Sequence, residues 1–259
     1  MKKFTQALIP AALLAVSFAA HAETSDGKVL AVSAGWAHIM PQGTKQGVNS
    51  TGAVNGFDST VGFELENSDT AEFKFDYLVN DNVSLGLILG VPPTFDIKGK
   101  GVLLKNFGGL DLNKKVGDVK VYSPVVTGKY HFGTVDSKFR PYVGAGFMYA
   151  HFSNFKLDSS ISSYLTSPTF ITITHNTLKD GASIRNVKID DAVAPVAFVG
   201  ADYNITKNWF ATASVSYVHL STHAKLDVVN NTTGATLLTG RSKIEINPIV
   251  TYLGVGYRF

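Results

Sequence analysis

Apolar and polar side chains alternate along most of this chain, and the alternation defines candidate β-strands. In the segment TAEFKFDYLV, Phe73 and Phe75 alternate with Lys74 and Asp76. Because successive side chains of a strand point to opposite faces, one face of this strand is apolar and the other is polar. The same reading predicts eight strands, over residues 28–38, 70–79, 83–91, 119–132, 139–152, 192–203, 209–226 and 244–259.

The connections between these strands alternate in length. Three are short and turn-like, namely NDN (80–82), GTVDSK (133–138) and NITKN (204–208), and four are mostly long, near 39–69, 92–118, 153–191 and 227–243. Short periplasmic turns and long external loops are typical of transmembrane barrels. We therefore predict an all-β fold: one domain over 23–259 that forms an eight-stranded antiparallel transmembrane β-barrel with short periplasmic turns and long extracellular loops.

The apolar faces of the strands carry no charge between their aromatic ends. A charge there would cost about 2–4 kcal/mol at the bilayer midplane. Six aromatic residues of this parity fall close to the short turns or the C-terminus: Tyr77, Tyr130, Phe132, Trp209, Tyr257 and Phe259. Such rings favour a membrane interface. We expect them to form a girdle, and the last strand to pair with the first, since only a closed barrel satisfies every backbone group in lipid.

The N-terminus indicates export. Two lysines precede the apolar run ALIPAALLAVSFAA and the small-residue site AHA, which predicts a signal peptide over residues 1–22. A membrane anchor is the weaker alternative, because the run is short and is interrupted by Pro10. The chain has no cysteine, and its charged residues amount to only 17%, below the roughly 25% of ordinary soluble domains. A soluble periplasmic protein stays open as an alternative, and the small net charge gives no footprint for nucleic acid.

Four stretches of the chain carry a family resemblance: SKFRPYVGAGFMYAHF (137–152), NDNVSLGLILGVPP (80–93), GADYNITKNWF (200–210) and the terminal GYRF (256–259). They resemble the OmpW family of eight-stranded outer-membrane proteins, and the similarity follows nearly the whole mature chain in order. The resemblance implies the outer membrane of a Gram-negative bacterium and a narrow barrel whose apolar upper lumen passes small hydrophobic molecules. It also implies insertion by the barrel-assembly machinery, with Tyr257 and Phe259 as the assembly signal.

One departure from the family concerns the lumen of the seventh strand. Relatives can carry a bulky aromatic side chain there, where this chain has Ser216. A gate built on that ring is therefore in doubt, and Ile88 and Val125 remain as apolar candidates for the path through the lumen.

Ionisable residues of lumen parity cluster near the short-turn end of the predicted barrel. They are Lys74, Asp76, Lys129, Arg140, Asp202 and Arg258. Buried charges must be paired, and an eight-stranded barrel is barely wide enough for its own side chains. We expect a cross-strand ionic network that plugs the periplasmic half; simple packing of the barrel end is the compatible alternative.

Prolines mark the junction of the third and fourth strands. Pro92 and Pro93 end the third strand, and Pro124 lies on the fourth. Because proline cannot donate to a ladder, we expect a local gap in hydrogen bonding there. Our hypothesis is that a hydrophobic solute leaves sideways through this gap. Pro195 and Pro248 lie on other strands, which weakens the argument, and the prolines could instead only splay the strands.

No motif indicates catalysis, a metal or a cofactor. His219 and His223 are four apart, but on a strand this spacing spans about 13 Å, too far for one zinc ion. We expect a passive channel for small hydrophobic molecules with lateral release into the membrane. A structural or adhesive barrel whose loops bind host or phage is the alternative, with a weak ion pore as a further one. Expected partners are the lipid bilayer, lipopolysaccharide, the assembly machinery and an apolar solute, with the chain itself a monomer.

Overall fold

The computed structural model describes residues 24–43, 46–47, 49–52, 62–103, 110–111, 113–173 and 178–259. The predicted signal peptide lies outside these residues and stays a prediction. The elements are β1 Leu30–Met40, β2 Gln46–Gly47, β3 Asn49–Gly52, β4 Gly62–Leu65, β5 Ser68–Leu78, β6 Val83–Gly90, β7 Thr94–Lys100, β8 Val102–Leu103, β9 Leu110–Asp111, β10 Lys115–Tyr122, β11 Val125–His131, β12 Phe139–Leu157, α1 Ser159–Leu165, α2 Pro168–Ile173, β13 Ala182–Ile189, β14 Ala192–Asn204, β15 Trp209–Val218, β16 Ser221–Asn230, β17 Thr236–Glu245 and β18 Ile249–Arg258.

Eight of these strands close into an antiparallel barrel. Their order around the wall is β11, β6, β5, β1, β18, β15, β14 and β12, and β12 pairs back with β11. The first and last strands meet from the Ala31–Arg258 pair to the Met40–Ile249 pair. The predicted eight-stranded barrel and its closure are both confirmed, and closure leaves the backbone of the wall without an exposed edge.

The two faces of the barrel strands separate as the alternation predicts. Large apolar side chains are exposed on the outside, among them Phe73, Leu85, Val126, Tyr130, Phe147, Trp209, Val215, Leu253 and Phe259. Their polar neighbours along the same strands, such as Lys74, Thr127 and Ser214, are buried inside. An exterior of this kind is stable when the surrounding solvent is acyl chain rather than water.

Aromatic rings form a girdle at the end of the barrel that carries the short turns. Tyr257 lies 5.1 Å from Trp209 and 4.7 Å from Phe259 between ring centroids, both edge-to-face. Tyr130 and Phe132 make a similar pair at 5.2 Å. These geometries are favourable for aromatic pairs, and they account for the aromatic C-terminus of the chain.

The turn between β5 and β6 shows why the short connections stay short. The side-chain oxygen of Asn80 accepts hydrogen bonds from the Asn82 and Val83 amides, at 2.9 and 2.8 Å. An Asn that bonds to the backbone two or three residues ahead reproduces a tight turn within its own segment.

The long connections are mostly folded, which the sequence did not indicate. They continue the wall as two sheets, one in the order β12, β10, β7, β4 and β2, and the other β13, β16, β17 and β3. Three stretches predicted as single strands, 119–132, 209–226 and 244–259, are each two strands. The breaks coincide with residues that cannot continue a regular ladder: Pro124 in the first, and Asn247 with a φ of 39° before Pro248 in the last.

Two short helices cover the end of one extension. Asp158 caps α1 by accepting a hydrogen bond of 2.9 Å from the Ser160 amide, as helix N-termini require. Ile161, Leu165 and Phe170 form a small apolar cluster beneath the helices. Within the described ranges, no helix is long and apolar enough to cross a membrane.

Candidate functional site: the barrel interior

The lumen near the short turns is filled by ion pairs, most of which join strands that are two places apart around the barrel. Lys129 on β11 contacts Asp76 on β5, with 2.6 Å between the Lys129 ammonium and the Asp76 carboxylate. Lys74, also on β5, pairs with Glu72 at 3.3 Å and donates to the Ser214 hydroxyl at 3.2 Å. Strand alternation places these side chains inside, and the cross-strand registers bring them together.

A second group lies beside the first. The Arg258 guanidinium contacts the Asp202 carboxylate at 2.9 Å and donates to the Asn204 side-chain oxygen at 2.6 Å. His131 lies 3.5 Å from the same Asp202 carboxylate. Arg258 also stacks over Phe210, 4.2 Å from the ring centroid. We call the two groups together the ionic cluster: Glu72, Lys74, Asp76, Lys129, His131, Arg140, Asp202 and Arg258.

Arg140 joins this cluster differently from the other cations. It is the register partner of Asp202 on the neighbouring strand, but its guanidinium donates to the backbone carbonyl of Asp81 in the first short turn. This bond ties the barrel wall to the turn beneath it. Arg140 therefore closes the end of the lumen by holding a turn across it.

The ionic cluster leaves little free space. A cavity of about 30 Å³ remains, and it is lined by 18 residues that include Lys74, Asp76, Arg140, Asp202 and Arg258. That volume has room for about one or two water molecules. The free space at this end is therefore of the size of water rather than of an apolar solute.

A glycine explains where unsatisfied polar atoms of the cluster lie. An added Cβ at Gly86 would stand 2.3 Å from one Asp76 carboxylate oxygen and 2.5 Å from the Thr127 hydroxyl. Neither atom has a hydrogen-bond partner among the described residues. Because Gly86 has no Cβ, these two polar atoms lie against the backbone of β6, in space that any other residue would need for its side chain.

The other half of the interior is apolar. The strands continue past the ionic cluster into one hydrophobic cluster formed by side chains from the barrel and from both extension sheets. Its fully buried members include Phe95, Val121, Val125, Phe152, Val196, Phe198, Leu220, Ile244 and Ile246. Ile88 packs against this cluster as a partly buried residue. We call this part of the interior the apolar half.

Phe198 stands close to the boundary between the two halves. Its ring meets Tyr142 edge-to-face at 6.3 Å, and Tyr142 in turn bonds to the Thr212 hydroxyl at 3.2 Å. Ser216 is the cross-strand neighbour of Phe198 and is only partly buried. An aromatic ring thus occupies this level of the lumen although position 216 has none.

The hydrogen-bond ladder between β6 and β11, the third and fourth barrel strands along the chain, is interrupted where the prolines lie. It ends at Val125 and resumes where the Val121 amide donates to the Pro93 carbonyl at 3.0 Å. No ladder pair joins residues 89–92 to residues 122–124 in this fully described part of the wall. We call this stretch the proline seam. Pro92 and Pro124 lie within it, whereas the carbonyl of Pro93 closes its upper end.

Prolines elsewhere in the wall have mixed effects on the ladder. The Val218 amide donates to the Pro248 carbonyl at 3.0 Å, so the ladder continues there. Beside Pro195 the ladder is interrupted a second time. The His219 amide donates to the Pro195 carbonyl, and the next bond along the strands is the one that the Asp190 amide donates to the His223 carbonyl. A proline on a barrel strand can thus leave the ladder intact or interrupt it, depending on its position in the register.

Comparison with the predicted site shows what the sequence missed. All six predicted lumen charges are buried together. Glu72 and His131 were not predicted, although they share the parity of Lys74 and Lys129 and could have been found by it. His151 pairs with Asp191, with 2.8 Å between the His151 Nδ1 and the Asp191 carboxylate. Asp158 is occupied elsewhere, as the cap of α1. No set of three or more metal-binding side chains occurs among the described residues.

Comparisons with known proteins agree on a single family. The model of the OmpW family matches residues 25–259. Outer membrane protein W of Vibrio cholerae is 28% identical over 228 residues, which cover 88% of this chain and 87% of that protein. Dibenzothiophene metabolism operon protein PahQ of Pseudomonas aeruginosa is 23% identical over 197 residues, 76% of this chain and 74% of that protein.

A solved structure carries the same fold. The crystal structure of the outer membrane protein OprG from Pseudomonas aeruginosa superimposes with a TM-score of 0.70 at 20% identity, over 90% of this chain and 96% of that one. The short turns therefore face the periplasm, and the extension sheets stand outside the cell. The chain belongs to the OmpW family and is a β-barrel of the Gram-negative outer membrane.

Proposed function

We propose that this barrel passes small hydrophobic molecules inward across the outer surface and releases them sideways into the membrane. The observation that carries the proposal is the division of the lumen: an apolar half that continues into the extracellular extension ends on the ionic cluster. An apolar solute gains free energy in the first environment and would have to displace paired, desolvated charges to enter the second. The interior therefore offers such a solute no route straight through.

The proline seam supplies the exit in this proposal. It lies beside Val125, whose buried side chain belongs to the apolar half, and Val126 on its other side is exposed toward lipid. Strands without ladder bonds separate at lower cost than paired strands. We assign Ile88 and Val125, the last ladder pair before the seam, and Ser216, which lies across the barrel on β15, to the lining of the apolar path.

The name of one relative fits an apolar solute. PahQ is called a dibenzothiophene metabolism operon protein, and dibenzothiophene is an uncharged, fused aromatic compound. We extend this class of solute to the present chain, and with it the ionic cluster becomes a plug that keeps ions and polar solutes out. Neither the fold nor the ionic cluster suggests a catalytic role.

Uptake of dibenzothiophene tests the proposal. A Gram-negative strain without its own OmpW-family protein expresses the wild type, a Pro92→Val/Pro124→Val variant or no barrel. We expect the wild type to raise the initial uptake rate, and the double variant to lower it several-fold because valine removes the two proline rings that constrain the backbone at the seam. Pro248→Val is the matched control, since the ladder already continues at Pro248, and it should leave uptake unchanged.

The outcomes separate the parts of the proposal. Equal uptake with and without the barrel would reject the channel and favour a structural or adhesive barrel. Uptake that the double variant leaves intact, with both proteins folded, would reject the seam as exit but keep the channel. Large ion conductance in a planar bilayer would reject the plug.

We also propose the partners that an outer-membrane barrel needs. Tyr257 and Phe259 end the strand that closes the barrel, and we assign them to recognition by the assembly machinery. The wall closes within one chain, so a monomer is sufficient. Lipopolysaccharide is the expected neighbour in the outer leaflet.

A further inference from the structure

Three basic residues stand side by side across the second extension sheet. Lys188 on β13 is the register partner of Lys225 on β16, and Lys225 is the partner of Arg241 on β17. One step further along the strands, His223 is opposite Lys243. We call Lys188, Lys225 and Arg241 the basic row.

The basic row points away from the protein. Ile189 and Ala224, the chain neighbours of Lys188 and Lys225, pack against the apolar half of the interior. Since side chains alternate along strands, the row must face outward, and all three of its residues are exposed. It covers no core and supports no lumen residue.

The row costs stability in isolation. Side chains directly opposite on neighbouring strands have Cβ atoms about 5 Å apart, and like charges in this position repel. Lys188 has Asp190 at 2.9 Å, but among the described residues no carboxylate lies within 4.0 Å of Lys225 or Arg241. Asp227, the acid on the same face, accepts hydrogen bonds from Asn186 and Thr239 at 2.9 and 2.8 Å.

On the first extension sheet, outward-facing lysines are paired with carboxylates. Its outward-facing lysines meet acids on adjacent strands: Lys100 pairs with Glu64 at 2.7 Å, Lys115 with Asp96 at 2.6 Å and Lys98 with Glu66 at 3.7 Å. The second sheet also carries ion pairs, Lys188 with Asp190 at 2.9 Å and Lys243 with Glu245 at 2.7 Å, but it aligns Lys225 and Arg241 without a carboxylate within 4.0 Å among the described residues. Adjacent cations of this kind can bind an anionic ligand.

The height of the row above the membrane bears on the ligand. Val193 on β14 is an exposed apolar side chain, and continuing the β14–β15 register places it level with Ser221. Lys225 therefore stands about 13 Å of strand above it, or about 9 Å of height at a tilt near 45°. Phospholipid headgroups extend only about 5 to 8 Å beyond the hydrocarbon core. The row thus stands at the level of a larger headgroup, one with sugars between its acyl chains and its outer anionic groups.

We propose that the basic row binds the anionic groups of the lipopolysaccharide headgroup, its phosphates and acidic sugars, and so fixes the second extension sheet against the outer leaflet. Arg241 can bind a phosphate through two parallel N–H groups, and Lys188 and Lys225 supply point charges on either side of it. The inference specifies the lipopolysaccharide contact proposed above, and it does not depend on transport.

The test compares two double variants of the full mature barrel. Lys225→Gln/Arg241→Gln removes two charges from the basic row, and Lys98→Gln/Lys100→Gln removes two from the paired sheet. Each protein is reconstituted in phosphatidylcholine vesicles with and without lipopolysaccharide, and binding of labelled lipopolysaccharide and the thermal unfolding midpoint are measured. The vesicles without lipopolysaccharide report whether each variant folds.

We expect the row variant to bind lipopolysaccharide about tenfold more weakly than wild type, because two charge-assisted contacts are lost. In phosphatidylcholine alone its midpoint should equal or exceed that of wild type, since repulsion is removed, and only with lipopolysaccharide should it fall below. The paired-sheet variant should keep wild-type binding. Added salt should reduce the amount by which lipopolysaccharide raises the unfolding midpoint of the wild type.

Other results overturn the proposal. Equal binding by wild type and row variant, or equal loss in both double variants, would show that the row has no specific part. Binding of inorganic phosphate or heparin that protects the wild type as strongly as lipopolysaccharide would assign the row to soluble anions instead. A row variant that is less stable in phosphatidylcholine alone would give the row a structural role.

Discussion

The periplasmic and extracellular halves of the interior share the barrel strands, but they are held together by different forces. In the periplasmic half, Asp202 lies between Arg258 and His131, with 2.9 and 3.5 Å separating the charged atoms. In the extracellular half, Phe198 and its neighbours are held by apolar contact alone. Strand alternation fixes which side chains point inward in both halves, while the identity of those side chains decides how each half resists water.

The two halves should differ in how well they tolerate substitutions. A desolvated charge that loses its partner keeps its full desolvation penalty, so the ionic cluster is stable only as a whole. An apolar interior loses stability in proportion to the contacts removed. The periplasmic end is therefore expected to be rigid and the apolar half to adapt, as passage of a solute requires.

Removing the anion of the ionic cluster should have the largest effect. Asp202→Ala leaves Arg258 buried without a carboxylate and removes the neighbour of His131. We expect it to lower the free energy of unfolding in vesicles by about 4 to 5 kcal/mol, the upper part of the range for a broken buried pair. Urea titration followed by the shift in electrophoretic mobility between folded and unfolded barrel measures this.

A matched control keeps the comparison sharp. Asp190 forms an ion pair of the same length with Lys188, 2.9 Å, but both side chains are more than half exposed. Asp190→Ala should change stability little, because solvent already screens the pair. Equal effects of the two substitutions would mean that the ionic cluster is hydrated, and our account of it as a desolvated plug would then be wrong.

An aromatic truncation in the apolar half should have the second-largest effect. Phe198→Ala removes a buried ring from the level of Ser216, and we expect a loss of about 3 kcal/mol. The same change widens the apolar half, so dibenzothiophene uptake should rise while stability falls. Phe152→Ala, at a buried position farther along β12, is the control for packing; if both variants transport alike, Phe198 has no special place on the path.

Much of the transmembrane barrel could be predicted because one rule governs it. A period of two, combined with the cost of charge in lipid, placed Phe73 outside and Lys74 inside, and the short turns set the order of the strands. The positions of Glu72 and His131 follow from the same rule. The alternation of short and long connections added the orientation, and the family resemblance supported the outer membrane.

The extracellular extension was not predictable in this way. Its strands are covered on one face by the interior and meet water on the other, so segments such as 236–245 resemble polar loops in their composition. The breaks at Pro124 and Pro248 depend on tertiary register as well. The place of Gly144 is a similar case: an added Cβ would lie 2.3 Å from the Phe198 ring of the next strand, a contact that only the folded register creates.

Neutralising an extracellular acid should have the smallest effect, and it probes the extension in contrast to the ionic cluster. Hydrogen bonds from Asn186 and Thr239 hold the pKa of Asp227 below its ordinary value of 3.8. A carboxyl with a lowered pKa in the folded state contributes stability above its unfolded pKa, and that contribution is lost as the pH falls through the lower, folded value. Asp227→Asn should therefore lower the unfolding midpoint slightly at pH 7, and the difference should disappear once the pH is below the folded pKa of Asp227. Midpoints of both proteins measured from pH 7 to pH 2 check this. A gap that widens on acidification would show that Asp227 is destabilised by its surroundings, and the extension would then carry strain that the hydrogen bonds do not relieve.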